Sequence, residues 1–424
     1  MFNDSHQRIK VDQTPNSPLS CLLVLGVSLV LPQTATAANA QFQGFLFEAC
    51  RDARGDLARR CDESFGGDLS GDSEDSLNPT QTLANSTTAL AETRARIQAL
   101  TDKLQKHRAN QKTGESKDTM EVFRMRGLSV LLLAESSRLE RDANELERGY
   151  DSDGSQLQVG FDYRITDAWS VGAIVGAHRL ETDFDADSAG RNFDPGNSEG
   201  DIESDSVSLN LFTSVQLTEK LYAEALLSYS WSDYDLERIG IFQESTRDLT
   251  FNQAVVTRAS TDGNQMGASL GLGYNHYQGS YAFNLYGRVD YFRSEIDAYT
   301  EEGGVGFALR VDDDESDNGI ANLGIKIARN INTDHGVWVP QIYAEAEHRF
   351  TADRAATRSS LVEDNSNTLL NLSGDDKDKS LWRAGFDLVL VRPNGWSGFL
   401  RISRTLGLED VDQTQFNFGL RMEF

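Results

Sequence analysis

In the C-terminal two thirds of the chain, several segments alternate apolar and polar residues. Charged residues in these segments lie on the polar face. Arg288 and Asp290 stand two residues apart, as do Glu345 and Glu347. Alternate side chains of a strand point to opposite faces, so such charges lie together, where carboxylates and guanidinium groups form ion pairs. We expect ion pairs that brace an enclosed interior; selection of a solute is the alternative. The set is Arg288, Asp290, Glu345, Glu347, Arg383, Asp387, Arg401, Arg421 and Glu423.

Cys50 and Cys61 are a second feature with possible chemistry. In an exported protein, which the N-terminus indicates below, an even pair of cysteines predicts a disulfide. Closure of so small a loop contributes about 2–3 kcal/mol to stability. Two free thiols on one helix are an alternative, because a spacing of eleven residues is close to three turns. A metal site is disfavoured, since no His lies near either thiol.

Catalytic and cofactor motifs give no positive signal. The six His residues are scattered, and neither a Ser/His/Asp set nor an H-E-x-x-H pattern is present. The glycines at 271 and 273 lie within an alternating segment, which disfavours a phosphate-binding loop. Acidic residues at 312–315 and 317 suggest calcium ligands, but a solvated loop is the favoured interpretation. We therefore expect neither an enzyme nor a cofactor.

Strict alternation of apolar and polar residues defines the elements that hold these charges. It is clearest at the end of the chain, where Phe416, Phe418, Leu420 and Met422 take every second position and Phe424 closes the series. The same pattern recurs from Gly127 onwards and predicts twelve strands. The fold prediction is therefore all-β, with a short α-helical segment before the strands.

The predicted connections alternate in length. Those at 166–168, 218–220, 278–280, 332–335 and 393–395 are short, whereas those around 183–205, 236–262, 298–318 and 350–378 are long and mostly polar. Short turns at one end and long loops at the other are typical of outer-membrane β-barrels, whose short turns face the periplasm.

A soluble β-sandwich is the alternative, and the sequence disfavours it. The predicted strands are about ten to fifteen residues long, whereas soluble strands usually have about 5–6. Charges occupy the face opposite the apolar one, and aromatic residues such as Trp169, Trp231 and Trp396 cluster near strand ends, as in interfacial girdles. The sequence predicts a twelve-stranded antiparallel transmembrane β-barrel.

The N-terminus predicts export. A weakly basic start is followed by an apolar stretch at residues 21–32 and by an A-x-A cleavage site at 35–37 or 38–40. The stretch is too short for a membrane anchor, so we assign residues 1–40 to a signal peptide.

Residues 41–126 form a segment of different composition. Leu83, Leu90, Ile97 and Leu104 recur every seven residues and predict an amphipathic helix at about 83–107. Its narrow apolar stripe needs a partner helix, another copy or a cavity wall. We expect a pore plug or a vestigial passenger here, and the barrel over 127–424.

Composition disfavours one class of function. The chain has a net charge of -26, and its mean hydropathy is -0.46. Nucleic-acid binding requires cationic contacts to phosphate, which so acidic a chain does not favour.

The barrel region resembles the C-terminal translocator domain of autotransporters, the type V secretion family. The similarity rests on residues 149–154 (GYDSDG), 157–163 (LQVGFDY), 269–274 (SLGLGY) and the ending at 418–424. It implies a twelve-stranded barrel in the outer membrane of a Gram-negative bacterium, with a helix in the lumen. It also implies insertion by the barrel-assembly machinery, for which Phe424 would be the C-terminal signal.

We expect the barrel to contact outer-membrane lipid, to be monomeric, and to anchor or translocate a short N-terminal segment while displaying acidic loops. The alternatives are a plugged or gated pore for small solutes and a surface adhesin that binds through its loops.

Overall fold

The computed structural model describes residues 36–69, 71–84, 127–144, 147–187, 196, 198–245, 250–354, 356–374, 379–393, 395–408 and 410–423. The apolar stretch of the predicted signal peptide, Phe424 and all but the first two residues of the helix predicted at 83–107 lie outside the described residues. No helix among the described residues is both long and apolar enough to cross a membrane.

Twelve long strands form one closed sheet within the described part of the chain. They are β1 (Leu128–Arg141), β2 (Tyr150–Thr166), β3 (Trp169–Phe184), β4 (Asp201–Gln216), β5 (Leu221–Ser245), β6 (Thr250–Gln278), β7 (Tyr281–Ile296), β8 (Asp314–Arg329), β9 (Gly336–Arg354), β10 (Ser380–Val391), β11 (Trp396–Leu406) and β12 (Val411–Glu423). Each pairs antiparallel with its sequence neighbours, and β1 pairs with β12. The predicted twelve-stranded barrel is confirmed.

Side chains alternate between the outside and the interior of this barrel. On β2, Leu157, Val159 and Phe161 are 52–54% exposed, while the intervening Gln158 is 2% exposed. On this strand the outer face is therefore apolar and the inner face polar, as the two-residue period requires. Some other strands also place apolar side chains inside, such as Ile174, Phe212 and Leu226.

The two ends of the barrel differ. At the short-turn end, β6 and β7 are joined by Gly279 and Ser280 alone, and Gly279 adopts φ 60°, a conformation that suits glycine in a tight hairpin. At the long-loop end, β5 and β6 continue to pair as far as Ser245 and Thr250, well past the start of β4 at Asp201.

Short elements surround the long-loop end. Four short strands form a small sheet in the order Leu370–Leu372, Thr357–Leu361, Leu309–Val311 and Tyr299–Thr300. The helices α1 (Thr36–Ala49), α2 (Gly55–Glu63) and α3 (Gly71–Leu77) pack here, with 3₁₀ turns at Cys50–Asp52 and Gly304–Gly306. The remaining short strands are Glu302–Gly303, beside β6, and Ile331–Thr333, beside β9 at the short-turn end.

Candidate functional site

Ion pairs line one half of the barrel interior. Arg383 on β10 binds both acidic residues of β9, with 3.2 Å from Nη1 to Glu345 Oε1 and 3.1 Å from Nη2 to Glu347 Oε2. Arg401 on β11 binds both carboxylate oxygens of Asp387, and Nη2 lies 2.7 Å from Oδ2. These side chains are 6% exposed or less, so each charge is neutralised where water is scarce.

Asp290 on β7 extends this network to three neighbouring strands. Its carboxylate binds Arg288 Nε at 2.8 Å and accepts hydrogen bonds from Ser269 Oγ at 2.6 Å and Asn322 Nδ2 at 2.7 Å. Arg288 Nη2 also lies 3.7 Å from Glu345 Oε1. The ion pairs therefore involve β7, β9, β10 and β11, and the hydrogen bonds from Ser269 and Asn322 add β6 and β8 to the network.

The two C-terminal charges of the predicted set lie nearer the short-turn end. Arg421 Nη2 donates to Ser129 Oγ at 2.7 Å and lies 3.3 Å from Asp162 Oδ2. The Glu423 side chain is 42% exposed, and its Oε1 lies 2.9 Å from Arg164 Nη2. Glu423 thus belongs to the rim of the barrel, because β12 ends there.

Sequence reasoning did not include Lys326 in the interior set, although it alternates with apolar Ile325 and Ile327. Lys326 is 6% exposed, and its Nζ lies 5.7 Å from the centre of the Tyr343 ring. The Arg401 guanidinium carbon lies 4.7 Å from that ring. Tyr343 therefore contacts two interior cations.

Small uncharged polar side chains recur on the interior faces of β4 and β5. Those on β4 and β5 that are 6% exposed or less include Ser204, Ser206, Ser208, Asn210, Ser214, Ser228, Ser230 and Ser232. The same interior faces also carry the larger buried side chains of Phe212, Tyr222 and Leu226, so this part of the interior differs from the charged part mainly in its lack of ion pairs between strands.

A separate hydrophobic core lies at the long-loop end. We call the structure around it the cap: α1–α3, residues 297–313, residues 356–372 and the outer part of the β5–β6 hairpin. Its buried members are Phe42, Phe45, Leu46, Ala49, Leu57, Cys61, Leu69, Leu77, Leu83, Phe242, Val255, Tyr299, Phe307, Leu309, Val311, Leu361, Leu370 and Leu372. Phe42 and Phe45 follow both predicted signal-peptide cleavage sites, so cleavage there leaves them in the chain.

Polar contacts fix the helices of the cap to the loops. The Leu57 N–H, in the first turn of α2, donates to Glu363 Oε2 at 2.7 Å, and the Arg54 N–H donates to the Glu363 carbonyl oxygen at 3.0 Å. The Ile241 and Gln243 N–H groups on the edge of β5 donate to Ser76 Oγ at 2.7 Å and Ser73 Oγ at 2.8 Å. Helix α3 thereby covers an edge that would otherwise be open to another strand.

The structure places Cys50 and Cys61 in a disulfide, with their Cα atoms 5.5 Å apart. The bridge joins the 3₁₀ turn after α1 to the C-terminal part of α2, and the Cys61 side of it belongs to the cap core. It therefore closes a loop whose backbone also contacts the loop at 363–365.

Asp364 holds that loop in shape. Its carboxylate accepts hydrogen bonds from the Ser366 N–H at 2.9 Å and the Thr368 N–H at 2.6 Å. Burial raises the pKa of Asp364, but the hydrogen bonds from Ser366 and Thr368 outweigh burial and hold that pKa below its usual value. Its charged form therefore stabilises the turn.

The acidic run considered as a calcium site is divided among different contacts. Asp314 accepts a hydrogen bond from Thr357 Oγ1 at 2.9 Å, Glu315 binds Arg293 at 2.7 Å, and Asp317 accepts from the Tyr291 hydroxyl at 2.5 Å. Among the described residues, no three His, Cys, Asp or Glu side chains converge to hold a metal ion. Alternation along β8 explains this, because neighbouring carboxylates point to opposite faces.

A match to a known sequence family identifies the closed barrel. The sequence model described as "Autotransporter beta-domain" matches residues 134–403. The chain belongs to the autotransporter β-domain family. The resemblance inferred from the sequence is confirmed, and this autotransporter barrel lies in the outer membrane of a Gram-negative bacterium, in contact with its lipid.

Two curated relatives and one solved structure are similar to this autotransporter barrel. It is 25% identical to Esterase EstA of Pseudomonas aeruginosa over 215 residues, which are 50% of this chain and 29% of that protein. It is 27% identical, over 48% of its length, to an "Uncharacterized protein in trpE-trpG intergenic region" of Pseudomonas putida, of which 31% is covered. The chain thus spans less than a third of either relative.

The solved structure is the translocator domain of autotransporter NalP from Neisseria meningitidis. The TM-score is 0.58 at 17% identity, with 80% of this chain and 98% of that chain covered. This likeness supports the fold and nothing finer.

Proposed function

We propose that this barrel carries its own N-terminal segment to the outer face of the membrane and anchors it there as the cap. The positions of two residues carry the proposal. Ala84 is buried with residues of the long-loop end, whereas Leu128 begins β1 at the short-turn end. Long loops of outer-membrane barrels face outside and short turns face the periplasm, so the chain crosses the membrane between these residues.

The lumen is the route that physical chemistry favours for this crossing. The helix predicted at 83–107 carries charged residues such as Glu92, Arg94 and Lys103 beside its narrow apolar stripe. Charged side chains in hydrocarbon are costly, so a crossing outside the closed barrel is disfavoured. The interior offers polar groups on every strand. The amphipathic helix predicted at 83–107 stands at this position in the chain, and we propose that it is the plug.

Display is the second part of the proposed function. The cap and the acidic loops beside it are the parts of the described chain that would face the medium. The charge of -26 for the whole chain favours cationic partners for such a surface. Assembly by the barrel-assembly machinery, with Phe424 as its signal, and a monomeric state complete the proposal.

An epitope tag inserted between Phe65 and Gly66 tests the surface position. Phe65 is 88% exposed, and nothing lies within 4 Å of a Cβ placed at Gly66, so the insertion avoids the cap core. We expect an antibody to bind the tag on intact cells and added protease to remove it. A tag detected only after the outer membrane is permeabilised would place the segment in the periplasm and overturn the proposal.

A pore for small solutes, plugged or gated, is the second candidate, favoured by the short polar side chains on the interior faces of β4 and β5. Conductance in planar bilayers separates the two. A large, steady conductance only after deletion of residues 41–120 supports the carrier whose own N-terminal segment plugs the lumen, whereas conductance through the intact chain supports a pore that transports solutes.

Esterase activity belongs to EstA by name, and we propose that this chain acts as the carrier and not as the enzyme. The match covers 29% of EstA. Hydrolysis of p-nitrophenyl butyrate by the purified chain, compared with a heat-inactivated sample, would contradict this assignment.

A further inference from the structure

Large buried side chains cluster around Ala84 on one side of the outer mouth of the barrel. We call these residues the collar: Tyr150, Phe184, Ile202, Tyr234 and Ile296, on β2, β3, β4, β5 and β7. Each is 3% exposed or less, and Ala84 is buried among them. The rings of Tyr150 and Phe184 pack edge to face, with centroids 5.9 Å apart.

Polar interior side chains separate the collar from a second buried apolar cluster, which includes Ile174, Phe212 and Leu226 and lies deeper in the barrel. Directly below the collar on β5 lies Ser232, which is 3% exposed. Gln265 Nε2 donates to Ser232 Oγ at 3.3 Å and to the Tyr234 hydroxyl at 3.0 Å, so the polar wall begins at the lower edge of the collar. Five large apolar side chains facing an open aqueous mouth would be costly, whereas burial against other apolar groups stabilises them.

The cap lies next to the collar and shares contacts with it. Leu236, two residues beyond Tyr234 on β5, packs against both the cap core and the collar. Gln81, Thr82 and Leu83, which join α3 to Ala84, are 6% exposed or less. The apolar contacts are therefore continuous from the α helices to the mouth of the barrel.

We propose that α1–α3 and the collar together form a lid that closes the outer mouth to solutes. This inference rests on the proposed surface position of residues 36–84. It goes beyond display, because the N-terminal segment then acts on its own barrel as a second seal in addition to whatever fills the lumen. The contacts from Glu363, Ser73 and Ser76 and the Cys50–Cys61 disulfide hold the lid down.

Thiol labelling on intact cells tests the lid. A Ser232→Cys variant places one free thiol below the collar, since Cys50 and Cys61 are joined and Cys21 is removed with the predicted signal peptide. The probe is an anionic, membrane-impermeant methanethiosulfonate reagent. We expect labelling at least about tenfold faster when the lid is released, because opening otherwise limits access.

Two backgrounds release the lid. One combines Cys50→Ser, Cys61→Ser and Glu363→Ala, and the other deletes residues 41–80 and keeps Ala84. A Ser260→Cys variant, on the exposed outer wall, should react equally in every background and shows that the barrel is inserted. The deletion background covers the case in which the triple variant does not assemble.

Faster labelling of Ser232→Cys in either released background, with constant Ser260→Cys labelling, supports the lid. Equal labelling with the lid intact and released overturns it, whether both are fast or both slow. If the Phe65–Gly66 tag is surface-exposed while labelling is equal, the lid proposal is wrong but the proposed function stands. A tag that is not exposed overturns the proposed function as well.

Discussion

Arg238 and Glu301 form a bidentate ion pair within the cap, although their side chains are only 7% and 5% exposed. Arg238 Nε lies 2.9 Å from Glu301 Oε1, and Nη2 lies 2.6 Å from Oε2. Arg238 also donates to the Phe307 carbonyl oxygen at 2.9 Å, and the Leu309 N–H donates to Glu301 at 2.8 Å. The pair therefore ties β5 to the loop at 297–313.

Loss of one partner should loosen this loop. We expect Glu301→Ala to destabilise the cap by about 3–5 kcal/mol, because Arg238 keeps a buried charge without its counterion. The double variant Arg238→Met, Glu301→Leu should recover most of this loss. Protease cleavage rates at 297–313 measure the effect; equal rates in the single variant and the wild type would contradict it.

An exposed pair provides the control. Arg179 and Glu203 lie 2.8 Å apart with side chains 52% and 41% exposed. Glu203→Ala should cost no more than about 1 kcal/mol, since water screens exposed charges.

The barrel could be predicted from the sequence and the cap could not, for a physical reason. A lipid-facing strand needs a long alternating pattern, as in Leu157–Ile165, and that pattern is visible without any partner. The cap core is built from strands of two to five residues and short helices. Residues such as Phe42 and Leu309 become a core only through contacts distant in sequence, and no local period marks them.

The same reasoning explains which buried charges the sequence predicts. Arg383 and Glu345 lie on strands whose apolar and polar residues alternate, and this pattern predicts that both side chains face the interior. Glu301 lies beside Glu302 in a glycine-rich loop, where charge normally indicates solvent exposure, so nothing local predicted its burial. Its partner Arg238 is 63 residues away in sequence.

Gly172 on β3 accommodates the ring of Phe212 on β4. A Cβ at Gly172 would overlap that ring and would lie 2.5 Å from the Phe161 carbonyl oxygen. We expect Gly172→Ala to cost about 1–3 kcal/mol through overpacking. Guanidinium unfolding in phospholipid vesicles measures it. Gly287→Ala is the matched control, because its nearest neighbour would be 3.8 Å away; equal losses in the two variants would refute this explanation.

Arg383 should be essential to the charged wall of the lumen. Arg383→Met leaves Glu345 and Glu347 without this cation, and we expect a loss of about 3–5 kcal/mol in the free energy of unfolding. Adding Glu345→Gln and Glu347→Gln to the same chain should restore part of that loss. No recovery in the triple variant would show that packing of the Arg383 side chain, and not its charge, stabilises the wall.

Removal of the disulfide should weaken the cap and spare the barrel. For Cys50→Ser with Cys61→Ser, we expect a loss of about 2–3 kcal/mol confined to the cap, because the bridge restricts the unfolded loop. Protease digestion on intact cells should release residues 36–84 more quickly. The unfolding midpoint of the barrel in vesicles should stay unchanged, and a shift there would show that the two parts unfold together.

Asp201, at the start of β4, should make the outer end of the barrel more stable in mild acid. Burial raises the pKa of Asp201 above its usual 3.8, and the carboxylates of Glu237 and Glu203 raise it further. Between 3.8 and the raised value, the folded state binds more protons than the unfolded state, so stability falls as the pH rises through this window.

Asp201→Asn should therefore increase thermal stability at pH 7 and reduce its dependence on pH. Asp334→Asn, in an exposed short turn, is the control and should leave the pH profile as it is. Equal thermal stability and equal pH dependence in the wild type and the Asp201→Asn variant would contradict this prediction.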